Sequence, residues 1–196
     1  TGSNRPEDEV RCLELGAVDF IRKPYNVRIV KGKINSVIKL RESAIVLSAL
    51  EYDELTGLYI RQAFFHHAKT LMRVKKDQKF HVVVADVKNF KWINSTYGEK
   101  TGDQVLAYLG EAYKSQVHSG MVARYGGDQF VAIVYGDLNF GKDKVEAAIR
   151  KIAEQAPISN LSVNYGIYEN VDKTLPLTLI CDRAFLAMKS IQNDYE

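Results

Sequence analysis

The sequence predicts an α/β (α+β) fold, a mixed central sheet flanked by helices and preceded by a helical stalk. Three observations carry this prediction. Residues 80–84, Phe-His-Val-Val-Val, form a short apolar run rich in β-branched side chains, as expected of a central strand covered on both faces. Two further apolar runs, 121–123 and 130–135, flank the tight turn Gly126-Gly127, the pattern of a hairpin. Around these runs, apolar residues recur at three- and four-residue steps, so helices are interleaved with the strands.

Taken in order, 6–15 reads as a short helix with an acidic first turn, Glu7-Asp8-Glu9, and Gly16 as its stop. Residues 17–21 follow as a strand ending at Lys23-Pro24, where proline cannot continue a ladder. A long helix starts near Asn26, an N-cap residue type, and carries Val30, Ile34, Val37, Ile38, Ile45 and Leu50 as an apolar stripe along the stalk. Polar punctuation at 53–61 breaks the stalk and marks a domain boundary. A helix through Phe64, Phe65, Ala68, Leu71 and Val74 then leads to the 80–84 strand, at whose end stands Asp86. Helices are predicted over 90–97 and 102–117, the second turning Val105, Leu106, Leu109, Ala112 and Tyr113 towards the sheet. After the hairpin come a helix over 142–155, a strand over 161–168 and a final helix over 177–191.

Composition excludes several classes. A chain of 196 residues with 46% hydrophobic content can bury a full core. No apolar run approaches the ~20 residues that cross a bilayer, and no signal-peptide order opens the chain, so a soluble, cytoplasmic protein without a membrane partner is expected. A net charge of +3 is too small to indicate nucleic acid. The early basic residues, Arg22 to Arg41, lack interleaved aromatics for stacking and read as a solvated face. Cys12 and Cys181 have no metal or disulfide spacing and read as small buried residues. His66 and His67 are adjacent and do not share a helix face, so they read as surface residues; His81 and His118 are isolated. Trp92 reads as a helix-packing residue.

Two acids stand out. Asp86 closes a buried strand, where α/β sheets hold ligands, and Asp128 sits at the hairpin tip beside glycines that let a phosphate approach the backbone. Paired carboxylates from two strands at one sheet edge suit a hard divalent cation, Mg²⁺ first, with waters and phosphates completing its shell. Two solvated loop acids remain the alternative on spacing alone.

The run Leu13-Glu14-Leu15-Gly16-Ala17-Val18-Asp19-Phe20-Ile21-Arg22-Lys23-Pro24 resembles the closing third of a response-regulator receiver domain. The resemblance implies that Lys23 is the phosphoryl-contacting lysine, that Pro24 follows it in a cis peptide and that Thr1 falls near the switch hydroxyl. The phosphoacceptor aspartate belongs to the missing front of such a domain, so the chain is expected to be cut from a longer protein and unable to accept phosphate. Residues 1–35 are assigned to this fragment and 36–52 to a helical linker.

Residues 53–196 resemble the GGDEF domain of the diguanylate cyclase family, which condenses two GTP into cyclic di-GMP. Four motifs occur in family order and spacing: Asp53-x-Leu55-Thr56-Gly57-Leu58, Asp86-x-x-x-Phe90-Lys91-x-x-Asn94, Gly102-Asp103-x-x-Leu106, and Arg124-Tyr125-Gly126-Gly127-Asp128-x-Phe130. The resemblance implies a nucleotidyl-cyclase-like fold. It implies Asp86, Asp128 and the carbonyl of Val87 as ligands for Mg²⁺ (or Mn²⁺), and Asn94 and Asp103 as the pair that bonds guanine. Lys91 and Lys189 become phosphate contacts, and Phe90, Gly126 and Gly127 further substrate positions. Two GTP-loaded domains must meet face to face, so a homodimer through receiver and stalk is implied, as is an EAL domain downstream in the full-length protein.

Departures qualify the activity. Gln129 replaces the second acid of the signature and makes this catalytic position degenerate, while Lys88, Ser95, Glu99 and Asn193 stand where other residues are usual. Val117-His118-Ser119-Gly120 occupies the place of the product-inhibition motif, so no inhibitory site is expected. The reading is a cyclic di-GMP signalling domain that binds GTP and Mg²⁺ with weak or lost cyclase activity. An active cyclase is the alternative, and a nucleotide-free interaction domain the third.

Overall fold

The computed structural model describes residues 6–17, 19, 21, 23, 24, 26–136 and 140–193. The chain divides into two compact units, Thr1–Ala49 and Leu50–Glu196. In the first, α1 (Pro6–Glu14) and most of α2 (Val27–Glu51) follow the predicted helices. Asn26 caps α2 as expected, its Oδ1 accepting from the amides of Arg28 at 3.0 Å and Ile29 at 3.4 Å. Lys33 pairs with Asp19 at 2.6 Å, and the Lys23–Pro24 peptide is cis. Along α2 the apolar residues Val27, Ile34, Ile38 and Ile45 are exposed. Of the strand predicted over 17–21, Val18 and Phe20 lie outside the described residues, as does Thr1. Among the described residues no helix is long and apolar enough to cross a membrane.

The second unit contains β1 (Tyr59–Ile60), α3 (Arg61–Val74), β2 (Phe80–Val87), α4 (Phe90–Tyr97), α5 (Glu99–Gln116), β3 (Gly120–Gly126), β4 (Gln129–Tyr135), α6 (Lys142–Glu154), β5 (Val163–Tyr168) and α7 (Leu177–Asn193). The strands form one mixed sheet in the order β1-β3-β4-β2-β5. Helices cover both of its faces. On one, Phe80, Val82 and Val84 of β2 pack with Phe64 and Ala68 of α3 and with Ile180, Ala184 and Met188 of α7. On the other, Ala85 and Val87 pack with Ile93 of α4, Val105, Leu106 and Leu109 of α5, and Ile152 of α6. Strand alternation divides β2 between these two cores, which is why its sequence is apolar without interruption.

Several expectations are refined. β2 runs antiparallel to both neighbours, so its double burial comes from the two helix layers and not from a parallel ladder. It extends to Val87, which places Asp86 inside the ladder instead of beyond its end. The two-residue β1 pairs parallel with β3 and is too short to show in the sequence. Trp92 is 57% exposed: Ile93 supplies the buried face of α4 while Trp92 lies outside, edge-on to Tyr97. His81, isolated in the sequence, is buried, and its Nδ1 accepts from the amide of Asn170 at 3.3 Å.

Candidate functional site

Strands β3 and β4 leave the core as a hairpin whose register shifts between Arg124 and Gly126. Gly126 and Gly127 both adopt positive φ, 155° and 57°, which a side chain at either position would oppose. Arg124 fixes the turn from one side. Its Nε donates to the carbonyl of Gly127 at 2.8 Å, and its Nη1 reaches both oxygens of Asp53, at 3.2 and 3.1 Å. Asp53 also accepts from the amide and hydroxyl of Thr56, at 2.9 and 2.7 Å, closing the loop before β1. Burial acts to raise the Asp53 pKa, but the two Thr56 bonds and the Arg124 charge outweigh it and hold the carboxyl below its ordinary value. This Asp53–Arg124 clamp was no part of the predicted site. Its signal was the Asp-x-x-Thr spacing of a local side-chain-to-backbone turn.

The two acids predicted to share a sheet edge do share it. Asp86 is register partner of Gln129 on β4 and of Asn164 on β5. The Gln129 amide, through Nε2, donates to Asp86 Oδ2 at 3.2 Å. Asp128 stands next along the hairpin, half-buried, and its pKa is raised: burial contributes most, and the Asp86 charge adds to it against the opposing pull of its own backbone amide and of Arg124. A carboxylate whose charge a neighbouring carboxylate disfavours, as Asp86 does that of Asp128, gains from a cation between them. Gln129 acts against this, because its amide already satisfies one lone pair of Asp86 and contributes no charge of its own. Asp86 and Asp128 are the oxygen donors a hard divalent cation takes, and they carry one charge fewer than a second acid at 129 would give. Among the described residues no group of three or more His, Cys, Asp or Glu forms a fuller cage.

From β2 the chain turns through Asn89, which takes the left-handed conformation at φ 57° that asparagine tolerates, and enters α4. Asn94, on the fourth-residue step from Phe90, faces α5. Its Oδ1 is buried without a hydrogen-bond partner. Gly102 lies directly against it: a Cβ at 102 would stand 1.8 Å from Asn94 Oδ1 and 3.2 Å from the ring of Phe90. Glycine is therefore required here by close approach, and the next residue, Asp103, is exposed on the same helix. The structure brings Phe90, Asn94 and Gly102 together. Lys91 and Lys189 are exposed on α4 and α7. Asn193 ends α7, and its side chain lies outside the described residues.

Comparison with known proteins bears on the family and the fold. A family model described as diguanylate cyclase, GGDEF domain, matches residues 50–194. Among curated relatives, diguanylate cyclase DgcP of Escherichia coli K12 is 32% identical over 122 residues, covering 58% of this chain and 36% of that protein. Diguanylate cyclase DgcS of Shewanella oneidensis is 30% identical over 141 residues, covering 63% and 48%. The chain thus spans less than half the length of either relative. The coiled coil and GGDEF domain of DgcB from Caulobacter crescentus, solved with c-di-GMP, superposes with a TM-score of 0.70 at 22% identity, covering 85% of this chain and 94% of that one. Diguanylate cyclase SiaD of Pseudomonas aeruginosa, solved with its activator SiaC, gives 0.61 at 17% identity over 96% and 71%. At these identities the structures speak to the fold.

Proposed function

Because this chain belongs to the diguanylate cyclase GGDEF-domain family of cyclic di-GMP signalling, we propose that it binds GTP with Mg²⁺ or Mn²⁺ and condenses it weakly or not at all. The observation that carries this reading is the Gln129–Asp86 hydrogen bond of 3.2 Å. Asp86, Asp128 and the Val87 carbonyl would hold the cation, which when bound supplies neutralisation of the phosphates. Gly126 and Gly127 admit the phosphates to the turn, with Lys91 and Lys189 contributing charge. Phe90, Asn94 and Asp103 bind the base: the unpartnered Asn94 Oδ1 is an acceptor suited to the donors on the Watson–Crick edge of guanine. Gln129 is shaped like an acid and lacks its charge, so the chain recognises the nucleotide and supports little chemistry. An active cyclase is the second reading, favoured by Asp86 and Asp128 both being present and converging. A nucleotide-free interaction domain is the third.

Residues 53–196 form the GGDEF domain in this proposal, 36–52 the linker and 1–35 the tail of a receiver. Pairing of two domains through the stalk is supported by the exposed apolar residues of α2. An EAL domain beyond residue 196 and a cytoplasmic location belong to the same reading. The test uses the full-length protein with GTP and Mg²⁺, measuring binding by calorimetry and cyclic di-GMP by chromatography, before and after Gln129→Glu. Binding with slow product, rising by about 10²–10³-fold on restoration of the acid, is expected. Fast product from the natural sequence selects the active cyclase, and absence of GTP binding defeats both readings.

A further inference from the structure

Strand alternation places one polar row on the sheet face covered by α3 and α7. On β2, Ala85 and Val87 turn to the opposite core, so Asp86 between them points to this face. On β4, Phe130 belongs to the opposite core and Val131 to the core under α3 and α7, which puts Gln129 on the same side as Val131. On β5, Val163 packs in the opposite core and the Tyr165 hydroxyl donates to Glu146 of α6 at 3.2 Å, leaving Asn164 on the α7 side. Asp86 is register partner of both Gln129 and Asn164. The row therefore runs Gln129, Asp86, Asn164 across three neighbouring strands, with adjacent Cβ atoms about 4.5–5.5 Å apart.

Asn164 departs from its surroundings. The next row on this face, Val131, Val84 and Gly166, is apolar, and asparagine is depleted in strands. Its side chain is half-buried and, among the described residues, makes no hydrogen bond, whereas Gln129 on the other side of Asp86 commits its amide to that carboxylate. What Asn164 faces follows from the lie of α7. That helix presses on β5, since a Cβ at Gly166 would run into the carbonyl oxygen of Ala184 and the amide of Met188. Arg183 donates to the hydroxyl of Tyr168 at 2.8 Å, so the helix advances from 183 to 188 as the strand runs back from 168 to 166. Its next turn, which begins with Lys189, continues towards Asn164.

We propose that Asn164 binds the terminal phosphates of the nucleotide, its carboxamide N–H donating to a phosphate oxygen; this rests on the GTP reading of the site. Asp128 and Gln129 lie on the β4 side of Asp86, so a cation shared by the two acids takes that side and leaves the β5 side, next to the Lys189 turn, to the phosphates. A neutral donor suits a place between a carboxylate and a phosphate. An acid there would repel the phosphate, and a lysine would pair with Asp86 and compete with the cation. The residues proposed for the base, Asn94 and Asp103, belong to α4 and α5 across the sheet, so Asn164 acts on what GTP and ATP share.

The full chain is titrated with GTP and with ATP in Mg²⁺ by calorimetry, and with Mn²⁺ alone by electron paramagnetic resonance. Asn164→Ala is expected to weaken GTP and ATP alike, by about tenfold or more for one hydrogen bond to a charged group, and to leave the Mn²⁺ affinity of the nucleotide-free chain unchanged. Asn164→Asp, which keeps the shape and exchanges the donor for a charge, is expected to weaken GTP further than Asn164→Ala does. Asn164→Val suits a strand, has no donor and should give the same loss should the alanine variant not fold. If the natural chain binds GTP and these variants bind it equally well, the proposal is overturned and the GTP reading stands. A parallel loss of Mn²⁺ affinity in Asn164→Ala would also overturn it, by making Asn164 a residue of the cation site. Absence of GTP binding by the natural chain would overturn both.

Discussion

At the proposed base end of the site, Asn94 Oδ1 is buried against Gly102 with nothing bonded to it; at the proposed phosphate end, Asp86 Oδ2 already accepts from Gln129 at 3.2 Å. The two ends are built from similar material, a polar side chain at the edge of a packed element, yet one is buried without a partner and the other is satisfied by the protein itself. An unbonded buried acceptor gains a full hydrogen bond once a donor reaches it. A satisfied carboxylate must first exchange a bond it holds, so its gain is only the difference. On the proposed reading, recognition and chemistry would therefore rest on different physical footings, and a domain could keep the first while losing much of the second.

The two ends separate experimentally. The largest effect is expected from Asp86→Ala, which removes the acid that β2 places within its ladder. Cation-dependent affinity for GTP should fall by about 10²–10³-fold. ATP, measured in parallel by calorimetry, should fall in proportion, leaving the GTP-to-ATP ratio in place. A change in that ratio would show that the two ends are coupled. Next in size is Gly102→Ala. Its Cβ would stand 1.8 Å from Asn94 Oδ1, so the amide must move. Loss of one buried contact of about 1–3 kcal/mol should cut the preference for GTP over ATP by about 5–150-fold while the cation dependence of both persists. Asn94→Ala, which creates no clash, should reproduce the loss of preference and so distinguishes it from misfolding.

Smaller still is the effect of pH on the cation. The Asp128 pKa is raised by burial and by Asp86, so its charged form is disfavoured. A cation needs that form. Its affinity should rise as pH rises through the raised value, and Asp128→Asn should flatten this rise in a titration of Mn²⁺ by electron paramagnetic resonance. A rise that persists in Asp128→Asn would assign it to another group.

Much of this was legible in the sequence, and the gaps have physical causes. The 80–84 run announced β2, and the Gly126-Gly127 pair announced the hairpin, because backbone requirements leave a direct mark on residue type. Asp86 and Asp128 were placed at one edge because strand ends and turns position side chains predictably. What Gln129 does was not legible. Its loss of charge was plain, but that its amide turns back onto Asp86 depends on the register of β2 against β4, which residue types do not specify. Gly102 appeared only as part of a motif; that it lies under Asn94 is a contact between two helices. Trp92 misled because α4 is amphipathic and its next residue, Ile93, takes the core. The Asp53–Arg124 clamp joins residues seventy-one apart in sequence and needed the parallel pairing of β1 with β3 to appear.

That clamp gives the smallest effect and bears on the proposed phosphate end, since it holds the turn that presents Asp128. Its side chains are partly exposed, 18% for Arg124 and 21% for Asp53, so solvent screens the pair in part. Asp53→Asn removes the charge and keeps the shape, and a loss of about 1–2 kcal/mol in unfolding free energy is expected near neutral pH. The pH dependence follows from the sign of the shift. The folded pKa of Asp53 lies below its ordinary 3.8, so its contribution is complete above that value and is lost as pH falls through the folded one. Denaturation of the natural chain and of Asp53→Asn should therefore differ by a constant amount from pH 7 down to about 5 and converge in stronger acid. Asp128 opposes this trend in both proteins equally, because protonation relieves a group whose pKa is raised. A difference that persists undiminished below the folded pKa of Asp53 would assign its role to shape alone, and the turn would then owe its geometry to the glycines without the ion pair.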